Sequence, residues 1–213
     1  MSTWQRILLV GVGGQGVMSA GRWVGEAAAA CGLPVVVRQV HGLSQRGGSV
    51  QTSVVVGGAR CPEIPDGMAD VVVGLEPMEA ARAVAKISAR TTAMVNTRAI
   101  VPASLQSAGR PYPPIAALLG PVEERAGALV TVDATALAEA AGSHRCLNVV
   151  MLGLLAGSGL VRFPAERLLE VVVGTGLAAF REVNRRAFEL GMHAVETDGC
   201  GVHSGTGGEV GER

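Results

Sequence analysis

With 213 residues, 48% of them hydrophobic and 17% charged, the chain is long enough to bury a sizeable core and sits at the upper end of single-domain size. Lys and Arg number 18 and Asp and Glu 18, with no basic block, so the electrostatic footprint of a nucleic-acid binder is missing. No apolar stretch reaches the roughly 18 to 20 residues that span a bilayer, and no charged-then-apolar leader precedes the first strand; the expected location is the cytoplasm, with neither membrane nor nucleic acid as a partner.

The first predicted element is the apolar run Arg6 to Val10, which enters Gly11-Val12-Gly13-Gly14-Gln15-Gly16 and passes into a helical segment from about Gly16 to Ala30. Strand, tight turn and helix in this order open a doubly wound α/β domain, and the spacing fits G-x-G-x-x-G in its proper context. Gly11 and Gly13 are expected to let the backbone turn and approach a ligand, and Gly16 to bring helix and strand close together. The unpaired amides of the helix N-terminus then face an anion, most often a phosphate. The alternative is that these glycines, with Gly14 and Gln15, serve only the turn.

Gly32 and Pro34 stop the helix, and Val35 to Val40 reads as a central second strand. A dinucleotide-binding unit needs an acidic residue at the tip of that strand for the ribose hydroxyls. Gln39 and His41 stand there instead, with no Asp or Glu before Glu63, which argues against NAD. The loop that follows carries Ser44-Gln45-Arg46-Gly47-Gly48-Ser49 and returns into Gln51 to Gly58, whose alternation suits a hairpin or edge strand. In such a sheet the loop lies beside the first turn. Arg46 then either meets the same anion or is a solvated charge above a Gly47-Gly48 turn.

Ala69 to Glu76 is a further buried strand, and Pro77 starts a helix in which Glu76, at the strand tip, is read as a capping or orienting carboxylate. Thr91 to Thr97 is the next strand and delivers Asn96 and Thr97 to the same edge. A long Pro-rich connection from Val101 to Pro114 precedes a helix over 115–126, a strand at Leu129 to Asp133 and a short helix at Thr135 to Ala141. The remainder is helical. Asn148 to Ala156 is apolar nearly all round, a core helix or buried interface. A helix from Pro164 to about Val173 follows, and then a last one with Leu177, Phe180, Val183, Ala187 and Leu190 on one face, closed by Gly191. The expected organisation is one domain over 1–196, a single Rossmann-like doubly wound, mostly parallel sheet with a helical C-terminal part. The 17 residues of 197–213 hold six glycines and are expected to form a disordered tail.

Cys31, Cys61, Cys146 and Cys200 are isolated from one another and from the scattered histidines, so neither a cluster nor a structural metal is expected within this chain. No acid–base pair or nucleophile constellation is legible either, and no catalytic residue is assigned.

The Gly11–Gly16 turn, the His41 to Val50 segment, Ala69-Asp70 with Gly74 to Ala80, Val95-Asn96-Thr97 with Pro102, and Asn148 to Gly153 fall in the order found in the gamma subunit or domain of 2-oxoacid:ferredoxin oxidoreductases. Within that group the chain most resembles the small beta subunit of indolepyruvate ferredoxin oxidoreductases, over about Ile7 to Gly191. The resemblance implies a subunit of a complex that oxidatively decarboxylates a 2-oxoacid, passes the acyl group to coenzyme A and sends the electrons to ferredoxin. It places thiamine diphosphate and [4Fe-4S] clusters on a large partner subunit. It also implies that the gamma module helps to hold coenzyme A, which maps onto Gly11, Gly13, Gly14, Gln15 and Gly16 and onto Ser44 to Ser49. Some relatives carry a basic pair in the second loop where this chain has Gln45-Arg46. The alternatives are a stand-alone NAD(P)-dependent dehydrogenase and a purely structural subunit.

Overall fold

The computed structural model describes residues 4–42, 47–58, 61–102, 105, 107–175 and 178–195, and the backbone of 201–204. The elements run β1 (Gln5–Val12), α1 (Val17–Ala30), β2 (Val35–His41), β3 (Ser49–Val56), β4 (Val71–Gly74), α2 (Pro77–Arg82), β5 (Thr92–Asn96), α3 (Ile115–Arg125), β6 (Ala128–Val132), α4 (Ala134–Ala141), α5 (Leu147–Gly157), α6 (Ala165–Thr175), α7 (Arg181–His193) and β7 (Gly201–Ser204). The strands form one sheet in the order β2-β3-β1-β4-β5-β6-β7.

β1, β4, β5 and β6 pair in parallel, whereas β3 is antiparallel to both β1 and β2. The connection from His41 to Ser49 is too short for the dozen or more residues of a parallel crossover, so β3 must fold straight back on β2. That hairpin inserts β3 beside β1 and pushes β2 to the margin. The expectation of a central second strand at Val35 to Val40 is therefore corrected: β2 is the edge, with Val37 and Val40 largely exposed. The chain leaves β1 for β2 and β3 on one side and for β4 on the other, and the crevice over the carboxyl ends of β1 and β4 is a topological switch point.

Strand alternation sorts the core into two layers. Ile7, Leu9, Val54, Val71, Val73 and Met94 face α1 and the helices α4 to α7, while Leu8, Val10, Val55, Val72, Ala93 and Val95 face α2 and α3. α5 is buried from Leu147 to Ala156, as its uniformly apolar sequence requires.

α5 crosses α7 so closely that only glycine fits. A Cβ on Gly153 would lie 2.1 Å from the Phe188 carbonyl oxygen, and one on Gly191 would lie 2.0 Å from the Val150 carbonyl oxygen. Gly191 thus does not close the last helix, which continues to His193; it is buried inside it at the crossing. Phe180 precedes α7 in a short 3-10 turn and is 39% exposed rather than packed, and Leu177 lies outside the described residues. Within the segment expected to be disordered, Gly201–Ser204 pairs antiparallel with β6 as the opposite edge strand; its flanks lie outside the described residues.

Gly191→Ala is expected to lower stability by about 2–3 kcal/mol in chemical denaturation, because the added methyl must displace backbone. Gly174→Ala in α6, where a Cβ meets nothing within 4 Å, is expected to be neutral or stabilising by about 0.5–1 kcal/mol.

Candidate anion-binding site

The turn from β1 to α1 is a braced loop. The Gln15 side chain is buried and spans it: its Oε1 accepts from the Val12 amide at 2.8 Å, and its Nε2 donates to the Leu75 carbonyl at 2.8 Å. Positive φ falls at Gly14 (104°) and Gly16 (79°) and not at Gly13 or Gly11. Gly11 is needed for a different reason from the one expected. It stands in β1, where a Cβ would lie 2.8 Å from both Gln15 Oε1 and Val17 Cγ2, so the protein itself fills the space reserved for a ligand.

Gly16 caps α1 in the left-handed conformation, with no side-chain cap and no acidic residue in the first turn. Asn148 at the start of α5 covers it: Nδ2 donates to the Gly16 carbonyl at 3.3 Å, and a Cβ on Gly16 would lie 2.5 Å from the same nitrogen. Among the described residues no group accepts from the amides of Gly14, Gly16 or Val17. The positive end of α1 therefore has no internal counter-charge, which favours an anion there.

The described end of the second loop, Gly47 and Gly48, lies beside the first turn. Gly13 donates to the Gly48 carbonyl at 2.8 Å and Gly47 donates back to the Gly13 carbonyl at 3.3 Å. Ser44, Gln45 and Arg46 lie outside the described residues. Ser49 turns away from the anion side: its hydroxyl donates to Glu79 Oε2 at 2.5 Å. Ser49 thus anchors β3 to α2 rather than facing the crevice.

Glu76 caps α2 as read from the sequence. Its Oε2 accepts from the Glu79 amide at 3.1 Å, and its Oε1 accepts from the Ile100 amide at 3.3 Å and from the Tyr112 hydroxyl. Tyr112 Oη in turn accepts from the Met78 amide at 3.1 Å. Burial, reinforced by the carboxylate beside it, pushes the Tyr112 phenol well above its usual range. Glu79 holds Ser49 on one oxygen and Arg82 on the other at 2.6 Å. Asn96 donates at 3.1 Å to the Leu75 carbonyl that also receives Gln15, and the Thr97 hydroxyl donates to the Val132 carbonyl at 3.4 Å. Both carboxylates and the Thr97 hydroxyl are engaged in structure, whereas the Asn96 Oδ1 is buried without a partner among the described residues.

Two clefts meet at the turn, each sharing Val12, Gly13 and Gly14. One, of about 460 Å³, is bounded by Val17, Met18, His41 and Val50 and is largely apolar. The other, of about 490 Å³, is bounded by Gly47, Arg98, Thr135, His144, Arg145 and Leu147. Both fall in the size range of small-ligand sites. Arg98, His144 and Arg145 stand over 80 residues from the turn in sequence; the pairing of β5 with β4 beside β1 brings Arg98 to it, and the packing of α5 against α1 brings His144 and Arg145. Among the described residues no group of three His, Cys, Asp or Glu side chains is placed to hold a metal. Cys31 and Cys61 are exposed thiols and Cys146 is buried.

An α/β sheet with a glycine turn at its switch point and helices stacked beyond α4 is a fold also found in an oxidoreductase gamma subunit. The gamma subunit of a keto/oxoacid ferredoxin oxidoreductase from Geobacter sulfurreducens superposes with a TM-score of 0.66 over 90% of this chain and 98% of that one, at 22% identity. A 2-oxoglutarate:ferredoxin oxidoreductase from Magnetococcus marinus, solved with 2-oxoglutarate, coenzyme A and succinyl-CoA bound, superposes with a TM-score of 0.68 at 20% identity, over 92% of this chain and 32% of that one. Indolepyruvate oxidoreductase subunit IorB of Archaeoglobus fulgidus is 37% identical over 187 residues, 88% of this chain and 93% of that protein. Residues 6–194 match the family described as pyruvate ferredoxin/flavodoxin oxidoreductase, and the chain belongs to that family.

Tyr112 is the chain's single tyrosine, so its titration is spectroscopically isolated. The raised folded-state value means that Tyr112 contributes its full stability below about pH 10, its unfolded value, and loses it as pH rises through the folded one. Absorbance near 295 nm should show no phenolate until well above pH 10. Tyr112→Phe should cost about 1–3 kcal/mol in chemical denaturation, since Glu76 keeps its burial and loses a donor.

Proposed function

We propose that this chain is the small subunit of an indolepyruvate-type 2-oxoacid:ferredoxin oxidoreductase. In this reading it presents the phosphates of coenzyme A to a thiamine-dependent partner that carries out the bond-breaking steps. The observation that carries the reading is the uncapped N-terminus of α1, held open by Gln15, Asn148 and Gly48 at the mouth of two ligand-sized clefts. Support for coenzyme A comes from the Magnetococcus relative of like fold, which was solved with that ligand, and support for the substrate class comes from the indolepyruvate oxidoreductase subunits.

The chain's own residues argue for a binding role without redox chemistry. The described cysteines are separated from one another, which suits [4Fe-4S] centres on the large partner subunit; in this reading, which follows the family, that subunit also holds thiamine diphosphate and the complex reduces ferredoxin. Glu76, Glu79 and Tyr112 are bound to one another, to Ser49 and Arg82 and to backbone, so these three are engaged in structure. The stand-alone NAD(P) dehydrogenase reading fails on topology as well as on the missing acid. β3 separates β2 from β1, so the tip of β2 is not the position where a dinucleotide-binding unit holds its ribose.

Met18 is 40% exposed in the first turn of α1 and borders the apolar cleft. Met18→Glu places a carboxylate where the helix dipole welcomes it, stabilising the fold by about 0.3–1 kcal/mol. The same charge competes for the anion site. In the complex assembled with its thiamine-dependent subunit, the KM for coenzyme A is expected to rise about tenfold or more while the melting temperature holds or rises. An unchanged KM would overturn the assignment of coenzyme A to this turn.

A further inference from the structure

The two clefts at the turn differ in charge, arginines lining one and not the other, and that difference assigns the ends of the ligand. On one side, beyond the residues the two clefts share, the walls are Val17, Met18, Val50 and His41, with no arginine. On the other they are three side chains with nitrogen heads, Arg98, His144 and Arg145, facing Gly13, Gly14 and Gly47. Arg98 is already engaged, with Nη2 at 2.9 Å from Asp133 Oδ2. Arg145 has no ion-pair partner among the described residues.

The segment that carries Arg145 is fixed relative to α1. His144–Cys146 is a 3-10 turn capped by Ser143, whose Oγ accepts from the Arg145 amide and whose carbonyl accepts from the Cys146 amide at 3.0 Å. The Cys146 thiol is buried and donates to Asn184 Oδ1 on α7 at 3.2 Å. Two residues beyond Cys146, Asn148 grips the Gly16 carbonyl. One short stretch therefore both braces the N-terminus of α1 and supplies a cation beside it.

We infer that Arg145, with His144 beside it, is the phosphate-binding cation of this site. It pairs with the diphosphate of the ligand lying on the α1 N-terminus, while the uncharged part of the ligand runs into the cleft of Val17, Met18 and Val50. Arg145 is then the specificity-determining residue that favours a phosphorylated thiol over an unphosphorylated one, because a guanidinium and free helix amides gain charge-assisted hydrogen bonds only from an anion. The inference rests on the coenzyme A reading above and adds to it the residue, the anion and the direction in which the ligand lies.

The test compares Arg145→Ala and Arg145→Lys in the assembled complex with coenzyme A, dephospho-coenzyme A and pantetheine as acceptors. It is paired with hydrogen exchange of residues 12–18, with and without coenzyme A. Arg145→Ala should raise the KM for both coenzyme A and dephospho-coenzyme A about tenfold or more, leave kcat within about twofold and leave pantetheine unaffected, and Arg145→Lys should recover most of the loss. Protection of 12–18 by coenzyme A with no change in KM in Arg145→Ala would overturn the role of Arg145 alone. An equal penalty with pantetheine would also overturn it, by showing a structural defect, and a penalty lost with dephospho-coenzyme A would put the 3′-phosphate, not the diphosphate, at Arg145. Absence of protection at 12–18 in the wild-type complex would instead sink the coenzyme A reading itself.

Discussion

A single buried carboxamide spans the junction of β1, α1 and β4. Gln15 takes the Val12 amide on one end and gives to the Leu75 carbonyl on the other, so the turn leaving β1 is tied to the chain leaving β4. Those are the two strands at which the sheet reverses its winding. Without Gln15 the Leu75 carbonyl would keep Asn96 as a donor, but the Val12 amide would be left unmatched at a cost of about 1–3 kcal/mol, which makes the glutamine hard to replace. The consequence for function is a division of labour among neighbouring amides. Val12 and Gly13 spend theirs on Gln15 and Gly48, and those of Gly14, Gly16 and Val17 are the ones left to face outward.

How far the sequence disclosed this depended on the range of each interaction. The strand–turn–helix order, the capping role of Glu76 and the buried nature of α5 are local patterns, readable from glycine spacing, a proline at the first helical position and an unbroken apolar run. The place of β2 was misjudged because Val35, Val36 and Val37 carry the composition of a central strand. What decides centrality is whether a neighbour lies on both sides, and the short His41–Ser49 connection decides that by forcing β3 between β2 and β1.

Glycines misled in the same way. Gly11, Gly13 and Gly191 were assigned to ligand approach, tight turning and helix termination, which are the local reasons for glycine. Gly11 and Gly191 in fact yield to side chains or backbone from elsewhere in the chain: Gln15 and Val17 for the first, and the Val150 carbonyl for the second. Gly191 with Gly153 lets α7 lie directly on α5, and α5 on the sheet beside α1 is what carries Asn148 to Gly16. Removing room at the crossing would thus be felt at the site, since Gly153 lies only about 7–8 Å along the buried α5 from Asn148.

The same reasoning explains why the cations of the site escaped notice. Arg46 stood out because it sits in a glycine loop a few residues from the turn's neighbour strand, whereas Arg145 reads as an ordinary charge between two helices. Nothing in its flanks distinguishes it from Arg167, which ends in a surface pair with Glu170. The difference is that the Cys146 thiol and Asn148 amide pin the residues immediately after Arg145 into the core and onto α1, which holds the Arg145 backbone at the edge of the crevice while its side chain stays exposed. Long-range packing brings a surface arginine to the wall of the cleft beside the turn. Because the brace and the cation share one segment, any motion that loosens α5 from α1 would weaken the turn geometry and the charge beside it together.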